Sequence, residues 1–301
     1  MFKSGFVSIL GKPNVGKSTL MNQIVGEPLS IITSKAQTTR HRIRGIVSGD
    51  DHQLVFSDTP GIIDAAYKLH EGMMNFVLNS LQDADAILYL TEVGAEKSLE
   101  REQKEESLNS KIIDRLQKFE IPVFLVVNKI DTVEQEQLEE VMSIWKEKLP
   151  NALIRPVSAL KGAFVKELFE ELKDKMPENP AYFPTDELTD LPLKFFIGEI
   201  IREKIFLNYK KEVPYSCEVE VEEFKDEEDI VRIRALIYVA RKSQKGIIIG
   251  HQGKMLKKVG TEARISIQNF LQKKVFLQTY VKVEENWRQS ERGLKRFGYL
   301  S

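Results

Sequence analysis

Eight residues near the amino terminus, GKPNVGKS at positions 11–18, have the spacing of a loop that binds phosphate groups. Gly11 and Gly16 would let the backbone approach a phosphate closely, Lys17 would reach the β- and γ-phosphates, and the Ser18 hydroxyl would bind magnesium. The loop lies between a predicted strand and a predicted helix, whose first N–H groups point toward the phosphates. The other residues of this segment that we expect to contact the nucleotide are Lys12, Pro13, Asn14, Val15 and Thr19.

A second motif, DTPG at residues 58–61, begins where the next predicted strand ends. The Asp58 carboxylate could hold magnesium through water, and Gly61 could donate its N–H toward the γ-phosphate, with Thr59 and Pro60 between them. Such a tetrapeptide alone is a common turn. Its position one strand after the phosphate loop predicts that both motifs serve one nucleotide site.

The motif NKID at residues 128–131 predicts which base is bound. It follows the apolar strand PVFLVV, and ligands of open α/β sheets bind at the carboxyl ends of strands. A carboxylate at Asp131 can accept from the N1–H and the exocyclic amine of guanine together, a pair that adenine does not offer. The other candidate contacts to the base are Asn128, Lys129, Ser158, Ala159 and Leu160.

A threonine in the polar segment KAQTTRH is the candidate switch residue. The hydroxyl of Thr39 could join Ser18 and Asp58 around magnesium when a γ-phosphate is present, so that the segment is ordered by triphosphate and released after hydrolysis. Thr38 is an alternative that the sequence does not separate from Thr39.

The carboxyl-terminal part of the chain is strongly basic. From residue 241 onward there are fourteen Lys and Arg against four Glu, a net charge of +10, whereas the whole chain has a net charge of −1. Gly250 and Gly253 bracket two polar residues, His251 and Gln252, between predicted helices, a spacing that fits a loop clamping about four single-stranded nucleotides. The basic residues expected to contact RNA around this loop are Arg241, Lys242, Lys245, Lys254, Lys257 and Lys258.

Two domains must position these motifs. Apolar strands alternate with helix-length segments up to residue 176, which predicts an α/β domain with a doubly wound, mainly parallel sheet. Four prolines punctuate the predicted linker, residues 177–192. Residues 193–285 then show the order αββααβ, an α+β domain, and residues 286–301 form a basic and aromatic tail that could stack on bases or pack.

Together these motifs resemble the translation-factor-like GTPases, and with the second domain the chain resembles the Era family of ribosome-assembly GTPases. The resemblance rests on four elements: QTTRHR, DTPG followed by an apolar residue, NKID and the carboxyl-terminal GHQG unit. It implies a P-loop GTPase domain and a type II KH domain. It further implies a monomer that binds 16S rRNA near its 3′ end and the 30S subunit, in the cytoplasm and peripherally at the membrane.

The resemblance also raises a question about hydrolysis. Ras-like switches place a water-orienting glutamine directly after DxxG, but Ile62 stands here, so we expect slow GTP turnover by the isolated protein. Asn14 suggests a compensation, because GTPases similar to this one with asparagine at that position can use a potassium ion beside the phosphates. Lys17, Thr39, Gly61 and Asn14 are therefore the expected catalytic residues.

Two other classes of function remain open from sequence alone. Ile62 would also fit a constitutive RNA-binding scaffold with a vestigial nucleotide fold, and the basic tail would fit a membrane-surface regulator. A secretion signal and a membrane-spanning run are not expected from the pattern. Cys217 lies at an apolar position of a predicted strand, and one cysteine allows no intrachain disulfide, which fits a reducing compartment.

Overall fold

The computed structural model describes residues 1–300, which divide into two compact units. The first unit contains residues 1–30, 39–66 and 73–190, and the second contains residues 31–38, 67–72 and the chain from 191 onward. Two short segments, residues 31–38 and 67–72, thus group with the carboxyl-terminal unit although they lie in the amino-terminal part of the sequence.

A six-stranded sheet forms the centre of the first unit. Its strands are β1 Lys3–Gly11, β2 Ile43–Ser48, β3 His52–Asp58, β4 Ala86–Glu92, β5 Val123–Asn128 and β6 Leu153–Pro156. They lie in the order β2-β3-β1-β4-β5-β6, and only β2 runs antiparallel to its neighbour. The helices up to residue 176 are α1 Lys17–Val25, α2 Lys68–Gln82, α3 Leu99–Lys104, α4 Leu108–Leu116, α5 Gln135–Lys148 and α6 Val165–Lys175. This arrangement confirms the predicted doubly wound, mainly parallel sheet.

Strand β2 is an element that the sequence pattern did not predict. It is a short edge strand, half of whose residues are partly exposed, and it contains Gly45. A Cβ atom at Gly45 would lie 2.7 Å from the Cγ2 atom of Val25, so the glycine permits close packing against α1. Glycine is depleted in strands, which explains why propensity misses this one.

The second unit has the predicted αββααβ order. Its elements are α7 Leu193–Asn208, β7 Cys217–Asp226, β8 Val231–Val239, α8 Lys242–Ile249, α9 Lys254–Leu271 and β9 Val275–Val283, followed by a short helix, α10 Glu291–Arg296. Strand β8 is central, antiparallel to β7 and parallel to β9. The inner face of the sheet packs against α7, α8 and α9 through a buried apolar cluster that includes Ile201, Ile237, Ile248, Ala263 and Ile267.

Two details of this unit differ from the predicted pattern. The alternating apolar pattern predicts that Tyr215 shares a strand face with Cys217. Tyr215 instead lies in a 3-10 turn, because Pro214 opens that turn and lacks the N–H that a strand ladder needs. The polar segment FKDEED at residues 224–229 predicts the hairpin turn between the first two strands of this unit. In the structure it belongs to β7 as far as Asp226, and the connection begins at Glu227. Cys217 is buried, and its thiol donates to the carbonyl oxygen of Val213.

Residues 177–190, which make up most of the predicted linker, contain no helix or strand and hydrogen-bond to β1 and β3 within the first unit. The side-chain oxygen of Gln53 accepts from the N–H groups of Tyr182 and Phe183, and the hydroxyl of Ser4 donates to the carbonyl oxygen of Pro180. Among residues 1–300, no helix has the length and apolar character needed to cross a membrane.

Candidate nucleotide and RNA sites

The loop between β1 and α1 has the backbone shape that a phosphate cradle requires. Gly11, Asn14 and Gly16 have φ angles of 144°, 65° and 98°. A Cβ atom at Gly11 would lie 2.3 Å from the carbonyl oxygen of Leu90, so no other residue fits there without displacing β4. Lys12 and Pro13 are half-buried, Val15 is buried, and Thr19 is half-buried in the first turn of α1.

Lys17 folds back over this loop. Its ammonium group donates to the carbonyl oxygens of Gly11 and Lys12 at 3.0 and 2.8 Å, and the side chain is buried. Burial lowers the pKa of Lys17 to about 8, although the charge of Asp58 partly opposes this shift. A buried cation whose hydrogen-bond partners among the described residues are neutral carbonyl oxygens would gain much from an anionic phosphate.

Three oxygen-bearing side chains converge beside the loop. The Ser18 hydroxyl donates to Oδ2 of Asp58 at 2.6 Å and lies 2.9 Å from the hydroxyl oxygen of Thr39. The other oxygen of Asp58, Oδ1, is buried and has no hydrogen-bond partner among the described residues. Burial raises the pKa of Asp58, against the opposing effects of the Ser18 hydrogen bond and the Lys17 charge. A set of hard oxygens with one unsatisfied carboxylate oxygen fits a magnesium ion.

Thr38, the alternative switch residue, is engaged elsewhere. Its hydroxyl lies 2.7 Å from the carbonyl oxygen of Lys35 and 2.6 Å from the hydroxyl of Thr33. The geometry therefore favours Thr39 as the residue beside Ser18.

The DTPG motif packs directly against the phosphate loop. A Cβ atom at Gly61 would lie 2.7 Å from the backbone of Pro13, and the N–H of Ile62 donates to the carbonyl oxygen of Gly11 at 3.0 Å. Thr59 fixes the motif to β1 through a hydrogen bond to the carbonyl oxygen of Ile9, and Pro60 is buried beside it. The side chain of Ile62 is apolar and buried, so it offers no group that could hydrogen-bond a water molecule.

The candidate guanine site lies at the carboxyl ends of β5 and β6. The Asp131 side chain is exposed, and its Oδ1 atom accepts from the Ser158 hydroxyl at 2.5 Å. The N–H of Ala159 donates to Oδ1 of Asn128 at 2.9 Å, and Leu160 follows with its side chain largely exposed. The structure therefore brings the two predicted base-binding segments together.

Asn128 has a second contact that the sequence did not reveal. Its amide nitrogen donates to the carbonyl oxygen of Val15 at 2.8 Å, and a Cβ atom at Gly16 would lie only 2.1 Å from that nitrogen. Gly16 is thus needed for packing against the guanine motif as well as for its positive φ.

Two lysines of the motifs form ion pairs that reasoning from spacing missed. Lys129 pairs with Glu92 at the end of β4, and Lys12 pairs with Glu102 in α3. Neither glutamate lies in a recognisable motif, and each is far in sequence from its lysine, so only the fold reveals these pairs.

The candidate RNA loop connects α8 to α9. Gly250 and Gly253 have φ angles of 70° and 75°, and a Cβ atom at Gly250 would lie 2.7 Å from the Met255 side chain. The Tyr209 hydroxyl donates to the carbonyl oxygen of Ile248 at 2.6 Å, just before the loop. All the other residues predicted to contact RNA are exposed, namely Arg241, Lys242, Lys245, His251, Gln252, Lys254, Lys257 and Lys258.

The aromatic residues of the tail pack rather than remain free to stack on bases. Trp287 is fully buried and donates its indole N–H to the carbonyl oxygen of Ser216 at 3.0 Å. The buried Tyr299 hydroxyl donates to Glu218 at 2.7 Å. For these two residues the packing alternative is correct.

Comparison with known proteins identifies the family. Residues 6–129 match the family model described as 50S ribosome-binding GTPase, and residues 212–288 match the model of the KH domain. GTPase Era of Geobacter metallireducens is 47% identical over 300 residues, which cover 99% of this chain and 98% of that protein. The chain belongs to the Era family of GTPases. It is also 44% identical to the chloroplastic GTPase ERA1 of Zea mays, over 99% of this chain and 70% of the plant protein.

Solved Era structures have the same fold over the full chain. A crystal structure of Era in complex with MgGDPNP and nucleotides 1506–1542 of 16S ribosomal RNA superposes with a TM-score of 0.90 at 35% identity, covering both chains completely. A variant of Aquifex aeolicus Era bound to GDP and aluminium fluoride gives the same score at 36% identity. This Era-family chain is accordingly a GTP-hydrolysing enzyme that binds guanine nucleotide with magnesium and carries an RNA-binding KH domain, which favours the enzyme over the vestigial scaffold.

Proposed function

We propose that this Era-family GTPase binds the 3′ region of 16S rRNA through the GxxG loop of its KH domain, contacts the 30S subunit, and acts in small-subunit assembly. One observation supports this most strongly: the Era structure that matches the whole chain is bound to nucleotides 1506–1542 of 16S rRNA. The exposed basic residues around the GxxG loop of this chain provide positive charge that could contact the phosphates of such an RNA.

Each predicted site residue has a proposed role in the nucleotide cycle. Residues 11–19 and 58–61 would hold the phosphates, and Asn128, Lys129, Asp131 and 158–160 would hold guanine. Ser18, Asp58 and Thr39 would hold magnesium, which would supply positive charge against the phosphate oxygens. Thr39 would take part only with triphosphate, so the 31–39 segment would report the nucleotide state.

We further propose that hydrolysis by the isolated protein is slow. The buried Ile62 leaves no side chain after DTPG to hold the attacking water. Asn14, exposed on the loop with a left-handed backbone, would help bind a potassium ion beside the phosphates, where a cation could replace an arginine finger.

The proposed RNA site is tested by measuring the affinity for a 37-nucleotide RNA, nucleotides 1506–1542 of 16S rRNA, with two double variants of the GxxG loop. His251→Asp with Gln252→Asp adds two carboxylates at exposed positions, whereas His251→Asn with Gln252→Asn changes the same side chains without adding charge. We expect about tenfold or greater weakening for the acidic variant, because each carboxylate near a phosphate costs about 1 kcal/mol even in water. Equal affinities of the two variants, or equal affinity of wild type for an RNA of shuffled sequence, would contradict the proposal.

The cellular setting of this function is also a proposal. We infer that the protein works as a cytoplasmic monomer on 30S particles, with peripheral contact to the inner face of the cell membrane through exposed basic residues. Co-sedimentation with 30S particles and with anionic vesicles, each with and without the other, measures the two contacts separately. Binding to vesicles but not to 30S particles would favour the membrane-surface regulator instead.

A further inference from the structure

The segment 31–38, which leads to the proposed magnesium ligand Thr39, is fixed to the carboxyl end of α7. Lys35 donates through its ammonium group to the carbonyl oxygens of Phe206 and Tyr209. The last carbonyl groups of a helix have no partners within the helix and carry the negative end of its dipole. A lysine is therefore well suited to this position.

The end of the same segment is fixed to the middle of α7. Arg202 donates to the carbonyl oxygen of Thr38 at 2.5 Å and forms a two-pronged ion pair with Glu199. Arg202 is completely buried; burial alone would lower its pKa, but the adjacent Glu199 carboxylate outweighs that effect and raises it. The guanidinium is thus permanently charged and held in one orientation.

The segment also has hydrogen bonds of its own that make it stiff. The Thr38 hydroxyl bonds to the carbonyl oxygen of Lys35 and to the hydroxyl of Thr33. The two anchors at Lys35 and Thr38 therefore belong to one compact turn, and moving either one displaces both.

Thr38 is the last residue of this segment in the second unit, and Thr39 is the first that groups with the first unit. Consecutive Cα atoms across a trans peptide are 3.8 Å apart, and the peptide between them is planar. The carbonyl group that Arg202 holds is part of the same peptide plane as the N–H of Thr39. Fixing that plane limits where the Thr39 hydroxyl can point, 2.9 Å from Ser18.

We propose that Arg202 and Lys35 are positioning residues for the GTPase reaction: through the backbone of residues 35–38 they orient Thr39 for magnesium. This inference rests on the proposed role of Thr39 in the triphosphate state. Since Thr39 would act only with a γ-phosphate, loss of either anchor should weaken binding of triphosphate and leave binding of diphosphate unchanged. A purely structural role would weaken both.

The test compares the affinities for GDPNP and GDP, with magnesium, in single variants. Lys35→Met removes the ammonium group of the half-buried Lys35, which is one of the two anchors. Lys210→Met is the control, because this variant removes a neighbouring exposed charge but leaves Lys35 unchanged. Arg202→Lys keeps a cation beside Glu199 but is too short to reach both Glu199 and Thr38. We expect both anchor variants to weaken GDPNP binding about tenfold, equivalent to about 1.4 kcal/mol, with GDP affinity unchanged.

Thr39→Val distinguishes the two possible failures. If it leaves the ratio of GDPNP to GDP affinity unchanged, the proposed role of Thr39 is wrong. If it lowers that ratio while Lys35→Met and Arg202→Lys do not, only the positioning role is overturned. Should Arg202→Lys fail to fold by circular dichroism, Lys35→Met decides the question, and an effect equal to that of Lys210→Met overturns the inference.

Discussion

The side-chain amide of Asn128 donates to the carbonyl oxygen of Val15 at 2.8 Å, so the guanine motif and the phosphate loop are hydrogen-bonded to each other. The same side chain accepts from the N–H of Ala159 at 2.9 Å. One buried amide thus joins three segments that are distant in sequence. Asn128 therefore helps to shape the site, in addition to its proposed role in base recognition.

Replacing Asn128 by Asp should destabilise the nucleotide-free protein. The shape is kept and Ala159 still has an acceptor, but an oxygen now faces the carbonyl oxygen of Val15 in a buried environment. We expect a loss of about 2–4 kcal/mol, the cost of an unsatisfied acceptor plus repulsion. Denaturant unfolding without nucleotide measures it, with Asp131→Asn as an exposed control; similar stability of the two variants would contradict the proposed role of the buried amide.

Asp131→Asn should change the preferred base. The asparagine cannot accept from both donors of guanine, but its amide can donate to the second carbonyl oxygen that xanthine carries in place of the exocyclic amine. We expect GDP affinity to fall about a hundredfold or more, since two hydrogen bonds to a charged group are worth about 3 kcal/mol or more. Competition binding with GDP and XDP measures the change. Unaltered preference for GDP would mean that Asp131 does not contact the base.

The sequence was sufficient to predict the five parallel strands of the first unit, the αββααβ order and the grouping of motifs, because each depends on local periodicity or on fixed spacing. It did not predict β2, because the glycine in this strand lowers its strand propensity. It also could not predict that Asn128 contacts Val15 or that Arg202 contacts Thr38. These contacts join residues 113 and 164 positions apart, and neither partner carries a local signal of the other.

Asn14→Gly tests the proposed potassium site with a residue that can keep the left-handed backbone conformation at this position. In wild type, single-turnover GTP hydrolysis should be faster in potassium than in sodium at equal ionic strength. The variant should hydrolyse at the wild-type sodium rate in both salts. Identical wild-type rates in the two salts would exclude potassium as a cofactor.

Lys17 should make nucleotide binding depend on pH. In the free protein its pKa is about 8, whereas bound phosphates would keep it protonated at higher pH. Binding should therefore take up about a tenth of a proton at pH 7 and about three quarters at pH 8.5, and affinity should fall as pH rises above 8. Calorimetry of GDP binding in buffers of different ionisation enthalpy measures this uptake. Uptake that does not change with pH would contradict the assignment.

The same lysine should act in the opposite direction on folding without nucleotide. The pKa of Lys17 is lowered from 10.5 to about 8 in the folded chain, so the unfolded chain binds more protons between these values. The contribution of Lys17 to the free energy of unfolding therefore rises with pH between these two pKa values. Below pH 8, burial of the charged side chain lowers the free energy of unfolding by about 3 kcal/mol. Lys17→Met, which has no charge to desolvate, should be more stable than wild type at pH 7 by an amount that shrinks toward pH 10. Denaturant unfolding at both pH values measures the difference, and a constant difference would mean that Lys17 does not titrate in this range.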